Sequence, residues 1–326
     1  MNVKNIKYIF CSIGFILFGY ILFNINLDLA IQLLANISIP LLFFAFFLNL
    51  ISALIKALKW KYVVNAVSPT FSYSDAVASY FAGFAASIIT PAKVGEVIKI
   101  FYVDKSGKEY GKAISVVIAD RLIDILILFV MAILGICLFQ SNFSIIILPY
   151  WIVVSLIVST LIISYFAFNK LLIYRVIQPI TSRFSENMLF KIVIPLIENY
   201  FDGVDLIRKN SKKIAIAVIY GFVVFGIAPI YSCILAYSIG IEVPFEFYVA
   251  LIPITCIIDL LPVSISGIGT RDIAYIYLFS FISVNAESAL TFSILYMLIC
   301  YLLMGLIGAF FWIKCPYNVD NNRINN

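Results

Sequence analysis

Eleven residues in three stretches have the types and spacing to do chemistry. Pro91-Ala-Lys-Val-Gly-Glu-Val-Ile-Lys99 supplies Lys93, Gly95 and Glu96, and Asp120-Arg121-Leu-Ile-Asp124 supplies two carboxylates around a guanidinium. Asp259 and the loop Ser266-Gly-Ile-Gly-Thr-Arg-Asp272 add Gly267, Gly269, Arg271 and Asp272. On a helix Asp120 and Asp124 share a face, and Arg121 lies within pairing reach of Asp124. Two readings follow. The Arg–Asp pair either clamps helices together, or Arg121 holds an anionic group bidentately and returns to Asp120 or Asp124 when that group is absent. Lys93 and Arg271 are candidate cationic stations for the same group, with Glu96, Asp259 and Asp272 offsetting their charge. The competing role for Lys93 is snorkelling to an interface. Gly95, Gly267 and Gly269 permit tight turns and close backbone approach, and a helix N-terminus after such a loop attracts anions.

These groups sit in an apolar chain. Of 326 residues 63% are hydrophobic and 12% charged, and the mean hydropathy is +1.08, which places the protein among polytopic helical membrane proteins. An ionised side chain at the centre of a membrane helix costs roughly 2.5–3.5 kcal/mol, so it faces a partner, a cavity or a substrate path. The net charge of +5 is spread over short loops, as expected for membrane orientation and not for nucleic-acid binding. The chain contains no histidine, which excludes a histidine triad, a histidine metal site and an imidazole relay. Its six cysteines lie mostly in apolar stretches without CxxC spacing, so neither a disulfide framework nor a zinc site is expected, and no cofactor is expected.

The elements that position the charged groups follow from length and breakers. Ile6–Phe23, Ile39–Leu58, Ala113–Phe139, Ile145–Phe168, Ile214–Ser238 and Ala289–Ile313 read as six spans. Ala76–Thr90 and Phe245–Leu261 are too short to cross comfortably and stop at Pro91 and Pro262, so each reads as the first leg of a re-entrant hairpin. Residues 170–213 carry a basic series together with Leu189, Val193, Leu196, Tyr200, Val204 and Ile207 at helical spacing, the pattern of an amphipathic elbow at the membrane interface. The tail Asn318–Asn326 reads as disordered.

With two re-entrant hairpins, Lys4 and Lys7, Lys56 to Lys61, Lys105 to Lys112, the 170–213 linker and Lys314 all fall on the cytoplasmic side. Both termini are then inside a cytoplasmic membrane. Asp75 precedes Pro91 by the same number of residues as Glu246 precedes Pro262. The expected architecture is therefore a single all-α membrane domain over residues 1–326, in which 39–139 and 214–313 are inverted repeats joined by 140–213. Inverted repeats with interrupted helices place the substrate site near the midplane, at the repeat interface.

The three charged blocks, in this order and topology, resemble those of the lysylphosphatidylglycerol synthase transmembrane, or flippase-like, domain family over nearly the whole chain. Here Asp120 stands where the family usually has Glu, Ser266 where it has Gly, and Asp272 where it has Glu. The resemblance implies a stand-alone member, without the soluble aminoacyl-transferase domain fused to some relatives, and implies lipid translocation over the synthase reaction. The expected partner is a membrane lipid, either an anionic phospholipid or a polyprenyl-phosphate-linked glycan precursor. The substrate-binding residues are then the eleven named above, with no catalytic residue or metal ligand. The sequence leaves the oligomeric state open. The alternatives are a membrane-embedded lipid-modifying transferase, a secondary carrier of a soluble anion, and a non-transporting scaffold.

Overall fold

The computed structural model describes residues 17–23, 25–104, 109–143, 150–175, 188–261 and 263–315. Much of the expected span Ile6–Phe23, Lys105, part of the 170–213 linker, Pro262 and the tail Asn318–Asn326 lie outside the described residues. Among the described residues every regular element is helical and none is a strand.

Among the described residues four helices are long and apolar enough to cross a bilayer. They are α3 (Ile39–Asn65), α6 (Tyr110–Phe143), α10 (Ser211–Tyr237) and a last rod, Ala286–Lys314. That rod consists of α13 (Ala286–Tyr296), a π-helical stretch Met297–Leu303, and α14 (Met304–Lys314). Helices α3 and α10 have 27 residues each, about 40 Å at 1.5 Å per residue. This exceeds the roughly 30 Å hydrocarbon thickness. Helices α1 (Leu17–Phe23) and α2 (Leu27–Ala35) meet at a bend of 92° and would make a fifth crossing if taken together. Helix α7 (Tyr150–Phe168) is shorter and exposes apolar side chains such as Trp151, Leu161 and Ile163. It is followed by α8 (170–175).

The two short apolar segments form helices that stop where the prolines foretold. Helix α4 (Tyr73–Ile88) starts at Ser72, whose hydroxyl accepts from the Asp75 amide at 3.0 Å. After Pro91 the chain turns through a 3-10 segment, Pro91–Ile98, broken by positive φ at Ala92 and Lys93, and continues as α5 (Lys99–Val103). In the second half α11 (Phe245–Ile258) leads into a loop with positive φ at Ser266, Gly267 and Gly269, and α12 (Thr270–Ser280) leaves it.

Packing exchanges partners between the halves. Helix α3 lies along α10, α4 packs on α14, and α11 packs on α6. Each short helix thus leans on the long helix of the other half. The two largest core clusters centre on Tyr248, Tyr275, Phe279 and Phe292, and on Trp60, Val63, Phe81 and Val116.

The linker helix α9 (Met188–Lys209) buries Tyr200, Phe201, Val204 and Ile207 and packs along α6. The predicted amphipathic face is therefore at least partly covered by protein, and α9 braces the start of α6. Burial pushes the Tyr200 hydroxyl up to about 12, so it stays a neutral donor to the Ala167 carbonyl at 3.0 Å.

Candidate functional site

The first hairpin and α6 meet α3 in a buried ion network. Lys59, 1% exposed, reaches Asp120 at 2.7 Å and Asp124 at 2.5 Å. Lys56 lies 3.5 Å from Asp124, Lys99 lies 2.7 Å from Glu96 and 3.6 Å from Asp120, and Arg121 pairs with the other oxygen of Glu96. Among the described residues four cations thus face three carboxylates, leaving one positive charge without a matching acid. Lys99 is also held under the rings of Trp60 and Tyr80, at 4.9 and 5.4 Å from their centroids. The Trp60 indole donates to Ser79 at 2.9 Å, tying α3 to α4 beside that lysine.

Two sequence expectations change here. The sequence pattern places Lys56 and Lys59 with Lys61 in a cytoplasmic block that ends the span at Leu58. Helix α3 instead continues to Asn65, and Asp120 and Asp124 on α6 stand opposite its lysines, so Lys59 is an interior residue. Arg121 pairs across to the hairpin instead of along its own helix, because Lys59 already occupies the carboxylates of α6.

The tips of the two breaks touch each other. Ser266 Oγ donates to the Ile88 carbonyl at 2.5 Å. From the first loop Lys93 Nζ reaches Tyr301 Oη at 3.3 Å and Asp259 at 3.9 Å. Asp259 also accepts from the Tyr301 hydroxyl and lies 3.5 Å from Arg271. The Arg271 side chain is fully buried against the rings of Tyr301 and Tyr296, with its guanidinium carbon 4.6 and 5.7 Å from their centroids. Asp272 has a local task. One oxygen accepts from the Gly269 amide at 2.8 Å, closing the start of α12, and the other accepts from Ser293.

Two glycines are fixed by geometry. A Cβ on Gly95 would fall 2.1 Å from the Ala86 carbonyl oxygen, so the two legs of the first hairpin approach at a distance only glycine allows. Gly267 has φ of 76°, and a Cβ there would fall 2.1 Å from Asp259 Oδ1. The Thr90 hydroxyl secures the first turn by accepting from the Gly95 amide at 2.8 Å.

Two hollows adjoin these groups. A groove of about 390 Å³ runs between the hairpin and α6, lined by apolar side chains such as Val94, Val97, Ile118 and Leu122, with Lys93, Glu96 and Arg121 in its wall. Val94 and Val97 are exposed beside it. A second cavity, of about 110 Å³, lies among α3, α4, α10 and the last rod. Lys93 lines both. Sequence reasoning missed Lys56 and Lys59 as site residues, although Lys56-Ala-Leu-Lys59 with Trp60 on an apolar helix, set against Asp120 and Asp124, carried the signal. Tyr301 had no comparable signal among twenty tyrosines. Among the described residues no group of histidine, cysteine or carboxylate side chains is placed to hold a metal ion.

Comparison with known proteins agrees with this architecture. The family model described as "Lysylphosphatidylglycerol synthase TM region" matches residues 9–308. A UPF0104 membrane protein of Pyrococcus horikoshii is 24% identical over 94% of this chain and 97% of its own length. A UPF0104 membrane protein of Methanocaldococcus jannaschii is 23% identical over 99% of each.

Proposed function

Because the chain belongs to the lysylphosphatidylglycerol synthase TM-region family, we propose that it moves an anionic lipid between membrane leaflets, with Arg121 and Lys93 receiving the head group. The observation that carries this reading is the groove beside the hairpin, where an apolar lining meets Arg121, Glu96 and Lys93. An apolar trough with cations in its wall suits an amphiphile with a negatively charged head. The unmatched positive charge of the ion network favours an anionic ligand, and a phosphate offers Arg121 a bidentate partner in place of Glu96.

The exchange of packing partners between 39–139 and 214–313 supports an inverted repeat, with the first hairpin entering from the cytoplasmic side and the second from outside. In this reading the protein lies in the cytoplasmic membrane with both termini inside, and the lipid is an anionic phospholipid or a polyprenyl-phosphate-linked precursor. No covalent step is required. The test is leaflet exchange of labelled anionic phospholipid and polyprenyl phosphate in proteoliposomes, comparing wild type with Arg121→Ala at matched incorporation. Exchange by wild type and its loss in the variant is the expected result. Absence of exchange by folded wild type for both lipids, with and without a proton gradient, would overturn the reading.

A further inference from the structure

We infer that the central cavity is a binding site for a phosphoryl oxyanion, with Lys56 and Lys93 as its cationic ligands; as a station for a lipid head group, this rests on the lipid-moving reading above. Among the described residues the cavity wall includes both lysines and no carboxylate. Lys56 comes from α3, at the end of the ion network, and Lys93 from the hairpin tip that contacts the other half. Their side chains are 24% and 19% exposed, whereas Lys59, Lys99 and Arg271 are closed off. Polar neighbours complete the wall: Asn49, Ser52 and the tyrosines at 80, 231, 296 and 301.

The π-helical stretch builds one side. Its wider turn carries Cys300 and Tyr301 onto the cavity wall, just after Tyr296, and such local π geometry is frequent at functional sites. Charge-assisted donors of this kind suit the oxygens of a phosphate, and lysine serves such groups as a point charge. At about 110 Å³ the space is too small for an acyl chain and suits a phosphate with its first carbons. Lys93 stands in the walls of both hollows, so one ammonium borders the groove that holds Arg121 and the cavity that holds Lys56. Arg271 does not line the cavity. It holds Asp259 and the Tyr301 ring from behind, and is therefore a positioning residue.

The test uses the full chain in nanodiscs and calorimetric titration with inorganic phosphate, glycerol 3-phosphate and dihexanoyl phosphatidic acid. Wild type is expected to bind at least one of the three. Lys56→Gln and Lys93→Gln should each weaken binding tenfold or more, Lys56→Arg and Lys93→Arg should retain it, and Lys314→Gln should not change it. Ser52→Leu, which fills the cavity and keeps both charges, should also abolish binding. Equal affinity for inorganic phosphate and the short-chain lipid identifies a site for the phosphate itself, while binding of the lipid form alone identifies a head-group site; either supports the oxyanion assignment. Leaflet exchange by wild type with no binding of any of the three, or binding that survives both Lys→Gln variants, would overturn the cavity assignment and leave lipid movement standing. Binding without leaflet exchange would overturn lipid movement and leave the site standing.

Discussion

Replacing Lys59 by methionine isolates the energetic centre of the ion network. The ammonium is 1% exposed and lies 2.5–2.7 Å from carboxylates of Asp124 and Asp120, four residues apart on one face of α6. Removing one partner of a buried ion pair costs about 3–5 kcal/mol, since the remaining charge is left desolvated. Lys56, 3.5 Å from Asp124, and Lys99, 3.6 Å from Asp120, compensate in part. The expected loss is therefore near the lower end, about 3 kcal/mol, or roughly a hundredfold in the folded-to-unfolded ratio. The double variant Lys59→Met/Asp120→Asn removes one charge of each sign and keeps the Asp124–Lys56 and Glu96–Lys99 pairs, so it should recover about 2 kcal/mol of that loss. Equilibrium unfolding in mixed micelles with rising dodecyl sulfate measures all the variants of the cycle. A Lys59→Met loss under about 1 kcal/mol, or a double-variant loss equal to the sum of the singles, would refute the claim that Lys59 is the energetic centre of the network.

Further outcomes follow from the hairpin tips and the elbow. Gly95→Ala and Gly267→Ala should each destabilise by about 1–3 kcal/mol, the first by forcing a Cβ against the Ala86 carbonyl and the second by adding left-handed strain and a clash with Asp259; the same micelle unfolding measures both. Tyr200→Phe should cost about 1 kcal/mol by removing the bond to Ala167, seen as earlier proteolytic cleavage of the linker with little change in the unfolding of the spans.

Much of this architecture was legible in the chain because membrane helices announce themselves through length and apolarity, and breaks through Pro91 and Gly95, whose effects are local. The ends of α4 and α11, the turn at Lys93 and the amphipathic face with Tyr200 and Val204 all belong to this class. What escaped depends on distant partners. Nothing near Lys59 distinguishes a lysine at a helix end from one inside a membrane protein; only the pair Asp120 and Asp124, some sixty residues away, decides it. The same holds for Arg121, whose in-helix neighbour Asp124 is occupied by Lys59 from a distant helix. The π-helical stretch and the role of Tyr301 arise from packing against Lys93, Asp259 and Arg271, a constellation drawn from three separate segments.

The crossed packing of the short helices also bears on how the protein is made. Helix α4 is synthesised some two hundred residues before its partner α14, and contacts such as Phe81 on Phe311, with ring centroids 5.3 Å apart, form only once both are made. Until that point the nascent first hairpin waits in the bilayer or translocon with the α4 face that meets α14 uncovered. Final assembly is thus a post-insertion closure in which the C-terminal rod locks a hairpin made some two hundred residues before it. This gives the membrane-insertion machinery a partly folded client to hold.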